Sequence, residues 1–586
     1  MQNILSITTL AILLLLSGVS AQAQTVETKK DIIFRAINDE LTRTMTELNH
    51  PEAGKPFFAG FYFTEGIYMS SNATLGAILS SGERKIASAS YRLMFGSYEM
   101  NDENFEQSQD NEMVFPRNIA DPIECDYAGI RRVLWNMADH SYKSASRNYV
   151  AKKAYYAKNP KLVPDFPDYL KQNPVTMEMP EIKVDVNRAQ ADSLVRALSY
   201  QFAQYPEIKN SSVDFSLIQA NLYLINTEGT RLFIPYYFAE ISVNASIETD
   251  KGESIGESFS MVSMNPSELL HDKSMAVSLH TFAKYLSEVS KATKLDDEYE
   301  GPVLYTGGTA ASKLMGSLFS GKDALVASRD EVENTPAYRT QEPKTNTGVE
   351  SKLGKRFMPT AFSVVVKPKL ETYNGVKLFG KAMVDYEGTI PPDELVLVEN
   401  GILKDLLRNR IPTSKAVTAS NGHNLINVSP GGIYSSVAPG VFFFTSAESV
   451  ATAELKKTLL KQASDKGLEY AIVLKPLLGS TFNSPSVYYK VSVADGSETL
   501  IRPLSISIDG GKTLNHIAGC STEQVVINSL RGSFYGGYEG DDYFGGSISG
   551  TPTSAIIPDA MLFTDMKAES TSNSVNKSLL PEMEEE

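Results

Sequence analysis

The sequence predicts an α+β fold, with an N-terminal half that mixes helices and strands and a C-terminal half made mostly of strands. The first observation is the helical spacing of apolar residues over 29–48, 126–158 and 187–205. The second is the series of short apolar segments, separated by Gly and Pro, that begins at 356. With 42% hydrophobic and 21% charged residues among 586, the composition indicates globular domains and excludes a disordered or disulfide-dense chain.

The first elements are a helix and two strands. Segment 29–48 has an apolar face at helical spacing. Segments 56–70 and 73–97 predict strands, and the Ser-Gly pair at 81–82 predicts a turn inside the second of them.

A long helix and a hairpin follow. Segment 126–158 has one apolar stripe, while Lys and Arg occupy its other faces. Segment 187–205 predicts another amphipathic helix, and 271–292 predicts a third. Between these helices, 212–248 predicts a hairpin whose turn is formed by 226–229.

Strand patterns dominate the C-terminal half, with one predicted helix at 451–466. The predicted strands lie within 361–368, 381–388, 394–401, 441–446, 471–477, 487–496 and 500–511. Polar residues with little periodicity fill 325–355, which predicts an exposed linker or loop.

These patterns divide the chain into domains. An N-terminal α+β domain is expected over 24–324, and the linker at 325–355 separates it from a C-terminal β-rich domain over 356–570. The remaining residues, 571–586, end in an acidic run and predict a disordered tail.

Residues 1–23 have the pattern of a secretory signal peptide. They carry no charged side chain, they contain an apolar run from Leu10 to Leu16, and Ala21 and Ala23 flank a suitable cleavage position. We therefore expect an exported protein, periplasmic or extracellular. The alternative is an N-terminal membrane anchor, although the apolar run is short for a span of about 20 residues. No later stretch is long and apolar enough to span a membrane, so no membrane contact is expected after cleavage.

Charge and cysteine content limit the chemistry. The formal charge of -15 argues against nucleic-acid binding, which needs a basic surface. Cys125 and Cys520 could form one disulfide or remain two separate thiols. Among only six His, the closest two are His271 and His280, so neither HExxH nor HExxxH occurs.

Several sequence blocks resemble the TldD/PmbA family, in particular its exported TldD-related branch. They are CDYAGIRRVLWNMADHSYK at 125–143, YEGPVLYTGGTAA at 299–311, DYEG at 385–388, VENGILK at 398–404 and SNGH at 420–423. Their order along the chain resembles that of the family's motifs. The resemblance implies a C-terminal domain of mostly antiparallel sheets, a dimeric assembly, and a peptide held between the domains.

The resemblance also identifies what is missing. Catalytic members carry HExxxH on the helix that corresponds to 310–320, where the imidazoles bind zinc and the Glu acts as base. Here the His positions fall on Met315 and Ser320, and the Glu position falls on Gly316. The resemblance therefore implies a degenerate zinc helix, with no catalytic residue, no metal and no cofactor.

The leading hypothesis is a non-catalytic, PmbA-like subunit of a TldD-type metallopeptidase that acts on unfolded peptides. Its partner would be an HExxxH-bearing TldD-type subunit or a second copy of this chain. Whether the chain has enzymatic activity of its own stays open. Candidate peptide-binding residues are Ser420, Asn421, Gly422, His423 and Arg502, although the Asn-Gly pair is equally typical of a simple turn.

Two alternatives stay open. One is an active metallopeptidase with a non-standard zinc site, built from His423, Cys520 and a carboxylate such as Asp385. The other is an exported peptide- or glycan-binding protein without a partner subunit. The Tyr- and Gly-rich segment 532–546 suggests this alternative, but such a composition is also typical of a flexible surface loop.

Overall fold

The fold was derived from a computed structural model. It describes residues 27–106, 124–249, 252–295, 297–321, 323–327, 329, 332–333, 347–481, 483–507, 513–530 and 548–571. The predicted signal peptide, the Tyr- and Gly-rich segment, most of the predicted linker and nearly all of the predicted tail lie outside these residues. Among the described helices, none is both long and apolar enough to cross a bilayer.

The first three helices begin where the sequence supplies capping side chains. Thr28 and Asp31 form a capping box at the first helix, and Asn187 and Gln190 form another at the third. The α-helices are α1 (Lys29–Glu47), α2 (Tyr127–Lys158), α3 (Arg188–Tyr200), α4 (Pro266–His271), α5 (Ser274–Lys291), α6 (Ala311–Phe319), α7 (Thr347–Glu350) and α8 (Thr452–Asp465).

The longest strands lie in the N-terminal half. The first nine are β1 (Pro56–Thr74), β2 (Ala77–Phe95), β3 (Phe105–Glu106), β4 (Thr176–Glu178), β5 (Ile208–Asn226), β6 (Arg231–Glu248), β7 (Ser254–Ser263), β8 (Tyr299–Tyr305) and β9 (Val332–Glu333). The next nine are β10 (Phe362–Val366), β11 (Thr372–Tyr373), β12 (Val376–Lys377), β13 (Leu395–Glu399), β14 (Ile402–Leu403), β15 (Asn424–Ser429), β16 (Gly432–Val437), β17 (Val441–Ser446) and β18 (Ser449–Val450). The last eight are β19 (Tyr470–Pro476), β20 (Ser486–Ser492), β21 (Glu498–Ile501), β22 (Leu504–Ser507), β23 (Ile517–Ser521), β24 (Gln524–Ser529), β25 (Thr553–Pro558) and β26 (Met561–Ser570).

The N-terminal sheet has the strand order β2-β1-β5-β6-β4, and β7 also pairs with β6. Helices cover one side of it. Helices α1 and α2 pack on Phe61 and Phe63, and α3 and α5 pack farther along on Phe215 and Ile241. Full burial of such a side chain contributes about 1.5–3 kcal/mol relative to leaving it exposed.

The opposite side of this sheet changes character along the strands. One part is apolar and packs on the C-terminal half, for example through Leu222 and Ile234 against Ile426. The other part is lined by two cross-strand rows of polar side chains, which we call the polar face. It consists of Ser212, Asn244 and Ser258 in one row and Asp214, Ser242 and Ser260 in the next.

Two main sheets form the C-terminal half. One has six strands in the order β14-β13-β10-β17-β25-β24. The other has eight, in the order β18-β23-β26-β8-β19-β20-β21 with β22 paired to β26. Most pairs in both are antiparallel, while β17 with β25, β8 with β19 and β18 with β23 are parallel. The predicted α+β class with mostly antiparallel sheets is confirmed.

Strand β8 lies deep within the eight-stranded sheet, although it precedes the predicted boundary at 324. It pairs with β26 on one side and with β19 on the other. Helix α6, which follows it, packs into the same apolar core as these C-terminal strands. The predicted division at 325–355 stays a prediction, but 299–319 packs with the C-terminal sheets.

Two local predictions were wrong. The turn between β1 and β2 lies at Leu75 and Gly76, both with positive φ, and β2 runs straight through 81–82. Segment 381–388 contains no strand. There the Asp385 carboxylate accepts hydrogen bonds from the backbone N–H groups of Glu387 and Thr389, which bends the chain.

Candidate functional site

A tight glycine turn positions the helix that corresponds to the predicted zinc helix. Thr306, directly after β8, donates both its backbone N–H and its hydroxyl to the Leu474 carbonyl, each at 2.9 Å. Gly307 and Gly308 then adopt φ of +60° and +79°. A Cβ at Gly307 would lie 2.5 Å from Pro476, so this turn requires glycine for space as well as for conformation.

Helix α6 has a buried side and an open side. Leu314, Leu318 and Phe319 are buried in the core of the C-terminal sheets. The open side carries Met315 and Gly316, and Ser320 follows as the C-cap residue. These three residues, to which the resemblance assigned the missing zinc motif, line one cleft of about 460 Å³. A Cβ at Gly316 would meet no atom within 4 Å, so the cleft has room for a side chain there.

The walls of the cleft are rich in hydroxyl and amide groups. Glu240, Ser260 and Val262 come from the N-terminal sheet. Opposite them lie Asn483 and neighbouring serines of the connection between β19 and β20, together with the end of β24. Ser260 and Asn483 exchange two backbone hydrogen bonds of 2.8 Å, which join the edge of β7 to this connection. The hydroxyl of Ser260, a residue only 2% exposed, has no hydrogen-bond partner.

The donor groups of this cleft do not fit a zinc ion. Among its described lining residues Glu240 is the only carboxylate, and none is His or Cys. Zinc in proteins is bound by thiolate, imidazole and carboxylate, so the Met315 thioether and the Ser320 hydroxyl are poor substitutes. In the part of the chain that the structure describes, no group of three or more His, Cys, Asp or Glu could hold a metal ion.

The SNGH segment forms a buried turn outside this cleft's described lining. Gly422 has a φ of +73°, and a Cβ there would lie 2.8 Å from the backbone of Pro391. The Asn421 side chain accepts from the Arg408 N–H at 2.8 Å and donates to the Leu406 carbonyl at 2.7 Å. The Ser420 hydroxyl accepts from the Gly422 N–H at 3.1 Å. These contacts give the segment a structural role, and its binding of peptide stays a prediction.

His423 is fully buried within this turn. Its Nδ1 lies 2.8 Å from the Asn421 carbonyl oxygen, which can only accept, so Nδ1 carries the proton. The other nitrogen, Nε2, is buried without a hydrogen-bond partner. Burial, with a smaller contribution from the Arg408 guanidinium, lowers the pKa of His423 to about 4. The imidazole is therefore neutral at physiological pH.

Arg502 binds the carbonyl groups at the C-terminal end of α5. Its guanidinium donates to the Ala292 carbonyl at 3.0 Å and to the Ser290 carbonyl at 3.3 Å, and it forms an ion pair with Glu253. Carbonyl groups at a helix C-terminus lack internal partners, and a cation satisfies them favourably. Arg502 is only 9% exposed, and its predicted role in peptide binding stays a prediction.

Glu387 of the DYEG motif and Arg410 belong to a buried network of charged side chains. Arg410 is 1% exposed, donates to the Leu170 carbonyl at 2.6 and 2.8 Å, and pairs with Glu228 at 2.7 Å. Glu387 accepts from the Arg410 backbone N–H at 3.1 Å and from the Arg92 guanidinium at 2.5 Å. The network joins the long N-terminal hairpin to the C-terminal half.

Sequence reasoning missed most members of this network. Lys152 is fully buried, and its ammonium donates at 2.6 Å to both the Asp168 carboxylate and the Glu103 carbonyl. Arg329 pairs with the other Asp168 oxygen at 2.7 Å. Burial, strengthened by the neighbouring Glu103 carboxylate, raises the pKa of Asp102 to about 8. A lysine near the C-terminal end of α2 looks like a solvent-facing residue, so no local signal could have indicated this burial.

The structure does not assemble the alternative metal site. Asp385 is held by three backbone N–H groups, and burial and the Glu387 carboxylate raise its pKa well above its usual range. Cys520 lies in the core of the C-terminal sheets, whereas Cys125 lies in the core beneath α1 and α2. The two thiols are therefore not joined in a disulfide.

Comparisons with known proteins agree with this architecture. Residues 326–567 match the family described as PmbA/TldA metallopeptidase C-terminal domain. Among curated proteins, none matches the sequence significantly.

Three solved structures are similar in fold. A candidate modulator of a DNA gyrase from Thermotoga maritima has a TM-score of 0.55 at 13% identity, with 92% of this chain and 100% of that chain covered. TldE from Thermococcus kodakarensis has a TM-score of 0.50 at 11% identity, with 93% and 100% covered. A candidate modulator of DNA gyrase from Bacteroides thetaiotaomicron has a TM-score of 0.52 at 10% identity, with 92% and 99% covered.

At these identities the three structures establish the fold alone, and the matched domain shows what residues 326–567 are similar to. The predicted resemblance is confirmed: residues 326–567 match the PmbA/TldA metallopeptidase C-terminal domain, and the described residues share the fold of TldD/PmbA-like structures.

Proposed function

We propose that this chain is an exported, non-catalytic subunit of PmbA type, which holds an unfolded peptide for an HExxxH-bearing TldD-type metallopeptidase partner. The observation that carries the proposal is the cleft above α6. It keeps an open helix surface at Met315, Gly316 and Ser320, yet its described lining offers only one carboxylate and no imidazole or thiolate. Such a cleft can bind a chain, but its described lining lacks the imidazole and thiolate ligands that would hold a water-activating zinc ion.

The lining of the cleft supports a peptide as the ligand. A volume of about 460 Å³ lies within the range of small-ligand pockets and accommodates a few extended residues. Hydroxyl and amide side chains both donate and accept, as the backbone of an unfolded peptide requires. The unpartnered Ser260 hydroxyl is one such group already facing the cleft.

Export and a partner subunit are further parts of the proposal. Export rests on the signal-like pattern of 1–23. The partner rests on the combination of an intact family fold with a helix that lacks the zinc ligands. A second copy of this chain could supply the dimer contacts but not the missing ligands.

Co-purification tests the partner. We expect a tagged chain isolated from its native host to bring down, in near-equal amounts, an exported protein that contains HExxxH, identified by mass spectrometry. The pair should cleave unfolded peptides, and the isolated chain should not. Recovery of a homo-oligomer alone would refute the partner role.

A metal titration tests the assignment of the degenerate motif. The combined variant Met315→His/Gly316→Glu/Ser320→His restores the three motif groups on a surface with room for them. We expect it to bind Zn²⁺ more tightly than the unmodified chain, as measured by calorimetry. The matched control is Ser317→His, which adds an imidazole to the same helix outside the motif positions. Stoichiometric zinc in the unmodified chain, with chelator-sensitive hydrolysis, would favour the non-standard metallopeptidase instead.

A further inference from the structure

The polar face of the N-terminal sheet continues directly into the cleft. Its row of Ser212, Asn244 and Ser258 lines a shallow groove of about 510 Å³. In its second row, Ser260 also lines the cleft above α6. A chain lying along these strands would therefore pass from the groove into the cleft without leaving the sheet.

Three carboxylates lie along this side of the sheet. Strand alternation puts Glu240 and Glu248 on the same side of β6, and Asp214 lies between them on β5. Eight residues of strand separate the two Glu positions, which corresponds to about 26 Å. The described lining residues of the groove and of the cleft include no Lys, Arg or His.

Asp214 is the carboxylate whose environment is most informative. Its hydrogen-bond partners, Asn72, Ser212 and Asn244, are all neutral. Burial raises its pKa, because neutral donors only partly replace the water that the carboxylate has lost. A cation placed beside it would supply the missing compensation.

An independent observation also indicates a ligand. The Ser260 hydroxyl lies in the same cross-strand row as Asp214, is nearly completely buried, and has no hydrogen-bond partner. Buried polar groups are almost always paired, so an orphan hydroxyl that lines an open cleft indicates a ligand group that would satisfy it.

We propose that the polar face binds Lys or Arg side chains of an extended peptide whose neighbouring residues occupy the cleft. This rests on the proposed peptide-holding function and specifies its substrate class as basic, unfolded segments. Charge complementarity selects this occupant: the carboxylates attract cations, and the serine and asparagine groups suit the peptide backbone. A second copy of this chain is disfavoured because its net charge is -15.

Peptide binding to the full-length chain tests the inference. Two labelled Gly-Ser peptides of equal length are compared by fluorescence anisotropy, one with three spaced Lys residues and one with Gln in their place. We expect the Lys peptide to bind about tenfold more tightly at low salt, with a smaller ratio at high salt. Asp214→Asn should weaken the Lys peptide about three- to tenfold and leave the Gln peptide unchanged.

Matched variants keep the result specific. Asp192 also accepts from two serine hydroxyls, at 2.7 and 2.6 Å, but on the helix-covered side of the same sheet. Asp192→Asn should therefore leave binding unchanged. Asn244→Lys adds a cation at an exposed position of the polar face and should weaken the Lys peptide without disturbing the fold.

The outcomes separate the two proposals. If neither peptide binds, the peptide-holding function itself is wrong. If both bind equally, or if Asp192→Asn acts like Asp214→Asn, the basic-peptide inference alone is overturned. Displacement of the Lys peptide by a neutral oligosaccharide would assign the polar face to glycans and would overturn it as well.

Discussion

Acidification should destabilise this protein through His423. The imidazole is fully buried, Nδ1 donates to the Asn421 carbonyl, and Nε2 faces no acceptor. Protonation of Nε2 would bury a cation without a partner, which is why burial holds the pKa at about 4 instead of 6.5. The unfolded chain therefore binds a proton at higher pH than the folded chain does.

The pKa difference between the folded and unfolded states determines how the free energy of unfolding changes with pH. Because the unfolded state binds more protons between the two pKa values, the free energy of unfolding falls as pH decreases through this range. The pKa difference of His423 contributes about 3 kcal/mol to the free energy of unfolding when the imidazole is neutral in both states. About 2 kcal/mol of this contribution is lost between pH 7 and pH 5.

Urea denaturation at a series of pH values measures the effect, with His423→Asn as the reference. The Asn side chain keeps a donor near the Nδ1 position but does not titrate, so its packing cost is independent of pH. We expect the stability difference between the two proteins to shrink by about 2 kcal/mol from pH 7 to pH 5. Parallel curves over that range would refute the assignment of His423 as a buried neutral imidazole.

Four further predictions concern the core, the groove and the cleft. Gly316→Ala should stabilise the fold by about 0.5–1 kcal/mol in urea denaturation, because a helical Cβ there meets no atom within 4 Å. Gly308→Ala should destabilise the fold, because its φ is +79° and the Cβ would lie 2.8 Å from a side-chain carbon of β24. Equal changes in stability at Gly308 and Gly316 would contradict this reasoning. Burial raises the pKa of Glu257 to about 7, so the free energy of unfolding should fall as pH rises from 4.5 towards 7, and Glu257→Gln should abolish that decline relative to the unmodified chain. Lys152→Met should lower the free energy of unfolding by about 3–5 kcal/mol, because it removes a cation from the buried Asp168 carboxylate. In a double-mutant cycle, adding Asp168→Asn should recover part of that loss, whereas additive effects of the two substitutions would contradict a direct interaction between these residues.

Elements with a strong local pattern could be predicted from the sequence. The helix predicted at 126–158 occurs at Tyr127–Lys158, because its apolar stripe is long and Asp126 caps its first turn. The hairpin turn at 226–229 also occurs where it was predicted, since Gly229 readily adopts the φ of +94° needed there.

Elements determined by distant contacts could not be predicted. The Ser-Gly pair at 81–82 was mistaken for a turn because nothing nearby indicates that Ser71 and Ser81 both donate to Asp192 in α3. Those hydrogen bonds favour continuing the strand. From the sequence, only the family resemblance indicated the helix that lines the cleft, because Met315 and Gly316 carry no local signal of function.

The motif at 385–388 illustrates the same limit for the candidate site. Its Glu387 contacts Arg92, which lies almost three hundred positions earlier in the chain. The apolar pattern of 381–388 is typical of a strand. However, three backbone N–H groups donate to the Asp385 carboxylate instead of pairing with a neighbouring strand. Single-sequence reasoning has no access to such long-range compensation.

The position of β8 within the eight-stranded sheet means that the strands after residue 326 cannot complete this sheet without 299–305. A fragment that began at 326 would leave an empty slot between β19 and β26, with two unsatisfied strand edges facing each other. A peptide covering Tyr299–Phe319, supplied separately, could fill that slot by fragment complementation.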